Sequence, residues 1–533
     1  MATSNEKLAA SLAILKSLQD RGIIVVEASA HPELTRTHRE RLVKAGFLQM
    51  VIGGWYLSNN PSEDTGDSTQ WYAHMEAFVA AYANSRFGKQ WQVPPELSLL
   101  KQSGHTGVLK QFQIHAPKAN NQVIKLPHGC SVFLYRVQVE SLSADAVESA
   151  SGLRLLPLEE ALVKVGPTFF TLHPLAAQIV LRRLDAPTLT GLLLDGGNSV
   201  VAGRLAGALA AVGREDDAGQ LVAAMKAADY KVAPGNPFEV PLVNIGGRLE
   251  ESPYVQRIRA MWSCMREVVI ARFDTVPHHE IGNIDQIIRD IEARYVADAY
   301  HSLSIEGYRV TDELIQKVMQ GDWSPLTNPR DQNTRDAMAA KGYFETHKKV
   351  VELVRESLAS GQSPGALLKK YFSQWYLALF SPSVTAGILK PADLAGYRNS
   401  QVFIRNALHV PPAPEAVRDC MPALMELIAN EAHAGVRAVL GHFVFVFIHP
   451  YMDGNGRLGR FLMNYLLAAG GYAWTIVTVQ SRNEYLTALE QASTYGNVEP
   501  FANLITRLLR EQTVAPVERG SQRPYAYVDD RIL

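Results

Sequence analysis

The sequence predicts a multidomain protein: an N-terminal α+β region, comprising a winged helix and a mixed, then helical, stretch, joined to an all-α C-terminal domain. Three observations carry this. The chain has 533 residues, enough for several domains at about 150 residues each. Strand-like runs and tight-turn dipeptides stand before about residue 145, whereas beyond Pro234-Gly235-Asn236-Pro237 the apolar spacing is helical to about residue 512. Apolar residues make up 47% and charged residues 20%, which excludes wholesale disorder and a collagen-like fibre.

Residues 1–65 read as the winged helix. Leu8, Leu12, Leu15 and Leu18 form one stripe among Lys7, Lys16 and Asp20, so the N-terminus reads as an amphipathic helix rather than a signal peptide. Ile23–Val26 is a β-branched run. Thr35 is placed to cap a helix through Ala45, and Gly46 to end it. Phe47–Val51 and Trp55–Ser58 flank Gly53-Gly54, a two-residue hairpin signal. The 34–45 helix carries Arg36, Arg39, Arg41 and Lys44 against Glu40, where a DNA-reading helix would sit, although the charge count alone favours a solvated face.

Residues 66–235 read as α+β and then helical. A helix over Trp71–Phe87 precedes strands at Leu109–His115, Val123–Leu126 and Ser131–Val137; from 153 helices follow, broken at Gly166-Pro167, Asp185-Ala186-Pro187, Gly196-Gly197 and Gly213. Lys and Arg number 52 and Asp and Glu 53, so no overall charge draws the chain to nucleic acid or membrane, and such a partner needs a local patch. Cys130, Cys264 and Cys420 are widely spaced and odd in number, which argues against a disulfide framework and for a reducing compartment. No run of 18 apolar residues occurs. A cytoplasmic protein with no membrane partner is expected. Residues 513–533 read as a loose tail.

The N-terminal half resembles the AbiEi-type antitoxins of bacterial abortive-infection systems. The residues that carry this are Gly53-Gly54-Trp55-Tyr56-Leu57, Leu126-Pro127-His128-Gly129 and Val201-Ala202-Gly203-Arg204-Leu205-Ala206-Gly207. The resemblance implies a head able to bind DNA or a partner protein. It does not imply an enzyme.

The segment richest in chemistry is His449-Pro450-Tyr451-Met452-Asp453-Gly454-Asn455-Gly456-Arg457-Leu458-Gly459-Arg460. An apolar run, Ala438 to Ile448, precedes it, and Phe461, Leu462, Tyr465 and Leu466 continue an apolar stripe after it, so the motif is a loop closing onto a helix N-terminus. Gly454, Asn455 and Gly456 leave backbone N–H groups free for an anion, and glycines admit phosphate oxygens without a Cβ in the way. Arg457 and Arg460, spaced i, i+3, share a helix face and can each fork onto phosphate. Asp453 among phosphate binders suits a Mg²⁺ ligand. His449 is the group that titrates near neutral pH and suits a general base. Each fragment alone is more often a turn, a capping histidine or a solvated arginine pair; those plain readings need none of the string's spacings.

The whole string resembles the Fic signature, HPFx(D/E)GNGRxxR, with Tyr451 for the usual Phe. Residues 250–512 would be the Fic domain. Gly396-Tyr397-Arg398 and Gln401, Val402, Phe403 and Ile404, before Val410-Pro411-Pro412, resemble the hairpin flap that aligns a target peptide; Arg482, Tyr485 and Leu489 resemble the helix after the motif. The resemblance implies transfer of AMP from Mg·ATP to a Tyr, Thr or Ser hydroxyl of an unidentified protein. It would make His449 the base and Asp453 the Mg²⁺ ligand. Asn455 would position the α-phosphate, with Gly454 and Gly456 in the anion cradle and Arg457 and Arg460 on the β- and γ-phosphates. The phosphate-transferring branch has lysine where Gly456 stands.

Ile284, Ile288, Ile291, Tyr295 and Ala299 form a helical stripe, and Gly307 can end that helix. Ser302-x-x-x-Glu306-Gly307 resembles the inhibitory motif of Fic proteins that carry their own inhibitory helix, here 284–307. The resemblance implies a salt bridge from Glu306 to Arg460 that denies Arg460 to the γ-phosphate, and a homo-oligomer, as in many inhibited members. Two readings stand: a self-inhibited protein adenylyltransferase, and a DNA-binding, antitoxin-like regulator whose Fic site senses nucleotide or removes AMP.

Overall fold

The computed structural model describes residues 3–59, 69–246, 251–274, 276–277, 283–323, 334–404 and 407–514. The tail read at 513–533 lies outside the described residues from 515 on. The chain divides into two units. Unit 1 holds residues 1–243, 247–257 and 402–410; unit 2 holds 244–246, 258–401 and 411–533.

Unit 1 begins with α1 (Ser4–Asp20), entered through a reciprocal cap in which Glu6 N–H donates to Thr3 Oγ1 and Thr3 N–H to Glu6 Oε2. β1 (Val25–Glu27), α2 (Arg36–Lys44), β2 (Leu48–Ile52) and β3 (Trp55–Ser58) follow. Among the described residues the strands pair antiparallel in the order β1-β3-β2. Leu15, Leu18, Val26, Leu34, Leu42 and Leu48 bury the apolar faces of these pieces against one another. Thr35 sits at the N-cap of α2, but its hydroxyl makes no capping bond.

α3 (Thr69–Phe87) and α4 (Pro95–Gln102) lead to a mixed sheet of β4 (Gln111–Ala116), β5 (Gln122–Lys125) and β6 (Ser131–Arg136), in which β6 lies parallel to β4 and antiparallel to β5. The sheet shares a core with Trp71, Phe78 and Trp91. Helices from Leu158–Lys164 to Glu215–Ala227 build a separate core. The glycines of the Val201–Gly207 motif have a packing reason. A Cβ on Gly203 would fall 2.3 Å from Ala233 O, and one on Gly207 2.1 Å from Gly235 O. The Pro234–Pro237 breaker therefore lies against a helix within unit 1, and the chain changes unit further on, between Val243 and Ile258.

The flap expectation is corrected here. Among the described residues 401–404 carry no strand, and residues 402–410 belong to unit 1. Val108 N–H donates to Leu408 O (2.9 Å) and Val410 N–H to Thr106 O (3.1 Å), so backbone groups that a hairpin would pair are engaged with residues 106–108.

Unit 2 has helices and no strand among its described residues. Its helices relevant to the site are labelled in chain order: α5 (Ile284–Ile305), α6 (Thr334–Ser360), α7 (Pro364–Thr385), α8 (Ala434–Ile448), α9 (Asn455–Ala469) and α10 (Arg482–Tyr495). α8 and α9 are apolar and buried along nearly their whole length. Asn283 caps α5 by accepting from Gln286 N–H. No helix among the described residues is long and apolar enough to cross a membrane.

α6 and α7 cross where Gly342 faces Leu379; a Cβ there would lie 1.9 Å from the Leu379 carbonyl oxygen. Overpacking of this kind costs about 1–3 kcal/mol. Gly342→Ala should therefore lower the chemical-denaturation midpoint of unit 2, followed by tryptophan fluorescence, and an unchanged midpoint would show that the two helices do not meet this closely.

Candidate active site

α8 delivers the signature. Twelve of its residues are buried, and it stops at His449, which takes a left-handed conformation (φ +51°). Arg398, itself buried, staples the turn: its Nε donates to His449 O (2.8 Å), its Nη2 to the Pro412 carbonyl, and its backbone N–H to Pro450 O (2.9 Å). Tyr451 stacks on Tyr376 with ring centroids 3.9 Å apart and planes within 6°. The substituted aromatic is thus an anchor at the base of the loop.

The loop closes onto α9. Gly454 has φ +82°, and a Cβ there would meet the Phe380 ring at 2.7 Å. The Asn455 amide brackets the loop, with Oδ1 accepting from Tyr451 N–H (3.0 Å) and Nδ2 donating to Tyr451 O (2.8 Å). The buried amide of Asn455 thereby shapes the cradle. Asp453 Oδ1 accepts from Gly454 N–H (2.6 Å), and Oδ2 lies 3.2 Å from Arg457 Nη2 on a side chain 66% exposed.

Two buried arginines face this loop. Arg460 donates from Nε to Ser302 Oγ (2.8 Å) and from Nη2 to Ser302 O (3.0 Å) and Glu306 Oε1 (2.7 Å). Its Nη1 is buried without a hydrogen-bond partner. Burial alone would depress this guanidinium's pKa; the Glu306 carboxylate beside it reverses that and holds it above the ordinary value. Gly456 makes room for the ion pair, since a Cβ there would lie 2.1 Å from Glu306 Oε1. Arg457 lies between the rings of Tyr308 and Phe380, at 5.0 and 5.1 Å, and its Nε also lacks a partner. Unpartnered buried donors on two adjacent cations suit an anionic ligand.

His449 is half-buried. Desolvation pushes its pKa down to about 4, against a long contact from Nδ1 to Val446 O (3.4 Å). The imidazole is therefore neutral near pH 7. A proton on Nδ1, facing that carbonyl, leaves Nε2 as the acceptor.

Residues 373–467 match the family model for the Fic/DOC family. A protein adenylyltransferase Fic of Nematostella vectensis is 30% identical over 234 residues, 41% of this chain and 48% of the relative. One of Drosophila mojavensis is 29% identical over 215 residues, 40% of this chain and 39% of the relative. The C-terminal part of this chain carries a Fic domain. The chain spans about half the length or less of the curated relatives it matches. A Fic domain containing signaling protein from Bacteroides thetaiotaomicron is similar in structure, with 16% identity, a TM-score of 0.35, and coverage of 49% of this chain and 94% of that one.

Unit 2 holds His449, Asp453, Gly454, Asn455, Gly456, Arg457, Arg460, Ser302 and Glu306, and joins Arg460 to Ser302 and Glu306. Gln401 lies outside that cluster, its amide donating to Pro411 O (2.8 Å), and Val402, Phe403 and Ile404 fall in unit 1. The basic residues of α2 are partly engaged. Arg36 pairs with Glu40 (2.7 Å), Arg39 donates to Leu34 O, and Arg41 donates to Lys7 O and Ser11 Oγ. Lys44 is exposed. Sequence reasoning missed Tyr308, Phe380 and Tyr376. Tyr308 stands two residues after Glu306, which is a local signal; Phe380 and Tyr376 lie far upstream on α7 and carry none.

Burial holds the pKa of four unit 2 histidines low: His301, His442 and His449 at about 4 and His347 at about 3. Unfolded, each titrates near 6.5. Between these values the unfolded chain binds more protons than the folded one, so stability falls as pH drops through 6.5 towards 4. Urea midpoints should fall steadily from pH 7.5 to 5; a flat profile would contradict the burial of these rings.

Proposed function

We propose that this protein is an adenylyltransferase that transfers AMP from Mg·ATP to a hydroxyl side chain of a target protein, and that Glu306 restrains it. The observation that supports this most is Arg460: a buried cation on the glycine loop, held by an acid from another helix, beside a neutral half-exposed imidazole. The relatives, each a protein adenylyltransferase Fic, agree with it.

On this reading His449 Nε2 takes the proton from the target hydroxyl. The hydroxyl oxygen forms a bond to the α-phosphorus, the α–β bridging bond breaks, and pyrophosphate leaves with that electron pair. The backbone N–H groups of Asn455 and Gly456 would face the α-phosphate at the head of α9, where the helix dipole adds favourable partial charge. Arg457 and Arg460 neutralise the β- and γ-phosphates. The exposed Asp453 carboxylate, with a phosphate oxygen or two, fits the donor set of Mg²⁺. When bound, that ion would offset charge on the leaving pyrophosphate. Gly456, where the phosphate-transferring branch has lysine, favours AMP transfer. Glu306 occupies Arg460, so the γ-phosphate must displace a carboxylate to reach it.

For the head we propose a winged helix, supported by the β1-β3-β2 sheet beside α2. Arg36 and Lys44 are the exposed cations of α2 for DNA phosphates, whereas Arg39 and Arg41 hold the head together.

Purified protein with labelled Mg·ATP and cell lysate tests the enzyme reading. A hydrogen bond between charged groups is worth about 1.5–3 kcal/mol, so Glu306→Gly should raise labelling about tenfold or more. Adding His449→Ala should abolish it. If Glu306→Gly labels neither itself nor any lysate protein, the proposal fails.

A further inference from the structure

Glu306 has a neighbour on the same turn. We propose that Tyr308 is a second blocking contact, acting on Arg457 as Glu306 acts on Arg460; this rests on reading Glu306 as an inhibitor of triphosphate binding. α5 ends in a paired closure: Gly307 N–H donates to Ser304 O (3.0 Å) and Tyr308 N–H to Leu303 O (3.1 Å), with Gly307 at φ +83°. This Schellman arrangement fixes residues 306–308 as one piece. The side chains of Glu306 and Tyr308 are therefore carried by the same turn.

Tyr308 has two cations near its ring. The Phe380 ring is 5.1 Å and the Tyr308 ring 5.0 Å from Arg457 Cζ, and Arg335 Cζ is 5.4 Å from the centre of the Tyr308 ring. Both arginine contacts fall within the range of cation–π attraction. Arg457 is only 1% exposed. A phosphate oxygen cannot reach it while all its neighbours stay in place. Phe380 belongs to the core of α7 and is 5% exposed, so it is fixed. Asp453 is solvated and touches one edge at 3.2 Å. Tyr308 is the large neighbour carried by the inhibitory turn. Withdrawal of Glu306 and uncovering of Arg457 are then one motion, and both phosphate-binding arginines are released together.

The test is direct binding of Mg·ATP and of AMP to the full chain by titration calorimetry. AMP lacks the β- and γ-phosphates and serves as the internal reference. Tyr308→Leu removes the π-face and keeps bulk; Tyr308→Phe keeps the ring. A cation–π contact of about 0.5–2 kcal/mol corresponds to a change of about two- to thirtyfold. Tyr308→Leu should tighten ATP by an amount in that range and leave AMP unchanged, and Tyr308→Phe should match the wild type for both. Arg335→Ala, which loosens the ring from outside without touching the turn, should tighten ATP by about twofold and keeps the question answerable if Tyr308→Leu does not fold. ATP binding that is unchanged or weaker in the folded variants overturns the proposal. Glu306→Gly separates the two ideas. If it tightens ATP while Tyr308→Leu does not, Tyr308 alone is dismissed; if it neither tightens ATP nor raises labelling, the inhibitory reading of Glu306 fails with it.

Discussion

A guanidinium buried under protein needs an anion beside it, and at Arg460 that anion is Glu306. Leaving such a cation uncompensated is costly, and its neutral form is not accessible near pH 7. The arrangement of residues around it follows from this need. Ser302 takes Nε and one edge of Nη2, Glu306 takes the other contact on Nη2, and Nη1 remains without a partner. Gly456 has no side chain because the carboxylate stands where a Cβ would be. On the proposed reading, the cation that would take a phosphate is the one that Glu306 holds.

The loop is held by the protein's own contacts. Arg398 holds the His449 and Pro450 carbonyls, Asn455 closes a ring of hydrogen bonds on Tyr451, and Tyr451 stacks on Tyr376. Each contact fixes backbone, so the N–H groups at the head of α9 keep their direction. The imidazole stands at the left-handed end of α8, neutral because its surroundings exclude water. Preorganisation of this kind lets the proposed chemistry proceed with little rearrangement once the inhibitory turn moves.

Much of this was legible in the sequence, and the limits have physical causes. His449 to Arg460 could be read because one loop must satisfy several spacings at once. The Glu306–Arg460 pair, 154 residues apart in the chain, was legible only through the Ser302–Gly307 pattern, since charge spacing cannot reveal a long-range partner. The Fic resemblance implies an α-phosphate role for Asn455; that its amide also closes on Tyr451 depends on the loop's curvature. The hairpin expected there carries no strand over residues 401–404. Val402–Ile404 has the β-branched and aromatic residues of a strand, but strand formation depends on an available partner, and the neighbouring backbone of 408–410 pairs with residues 106–108. Phe380 and Tyr376 look like ordinary core aromatics of α7, and only the fold sets them against Arg457 and Tyr451.

The most direct measurement is a crystal structure of the Glu306→Gly variant with Mg·ATP. The account predicts a γ-phosphate oxygen within about 3 Å of the Arg460 guanidinium, with the α-phosphate over the 454–456 turn and within reach of His449. A triphosphate bound elsewhere, with Arg460 still turned to Ser302 alone, would contradict it.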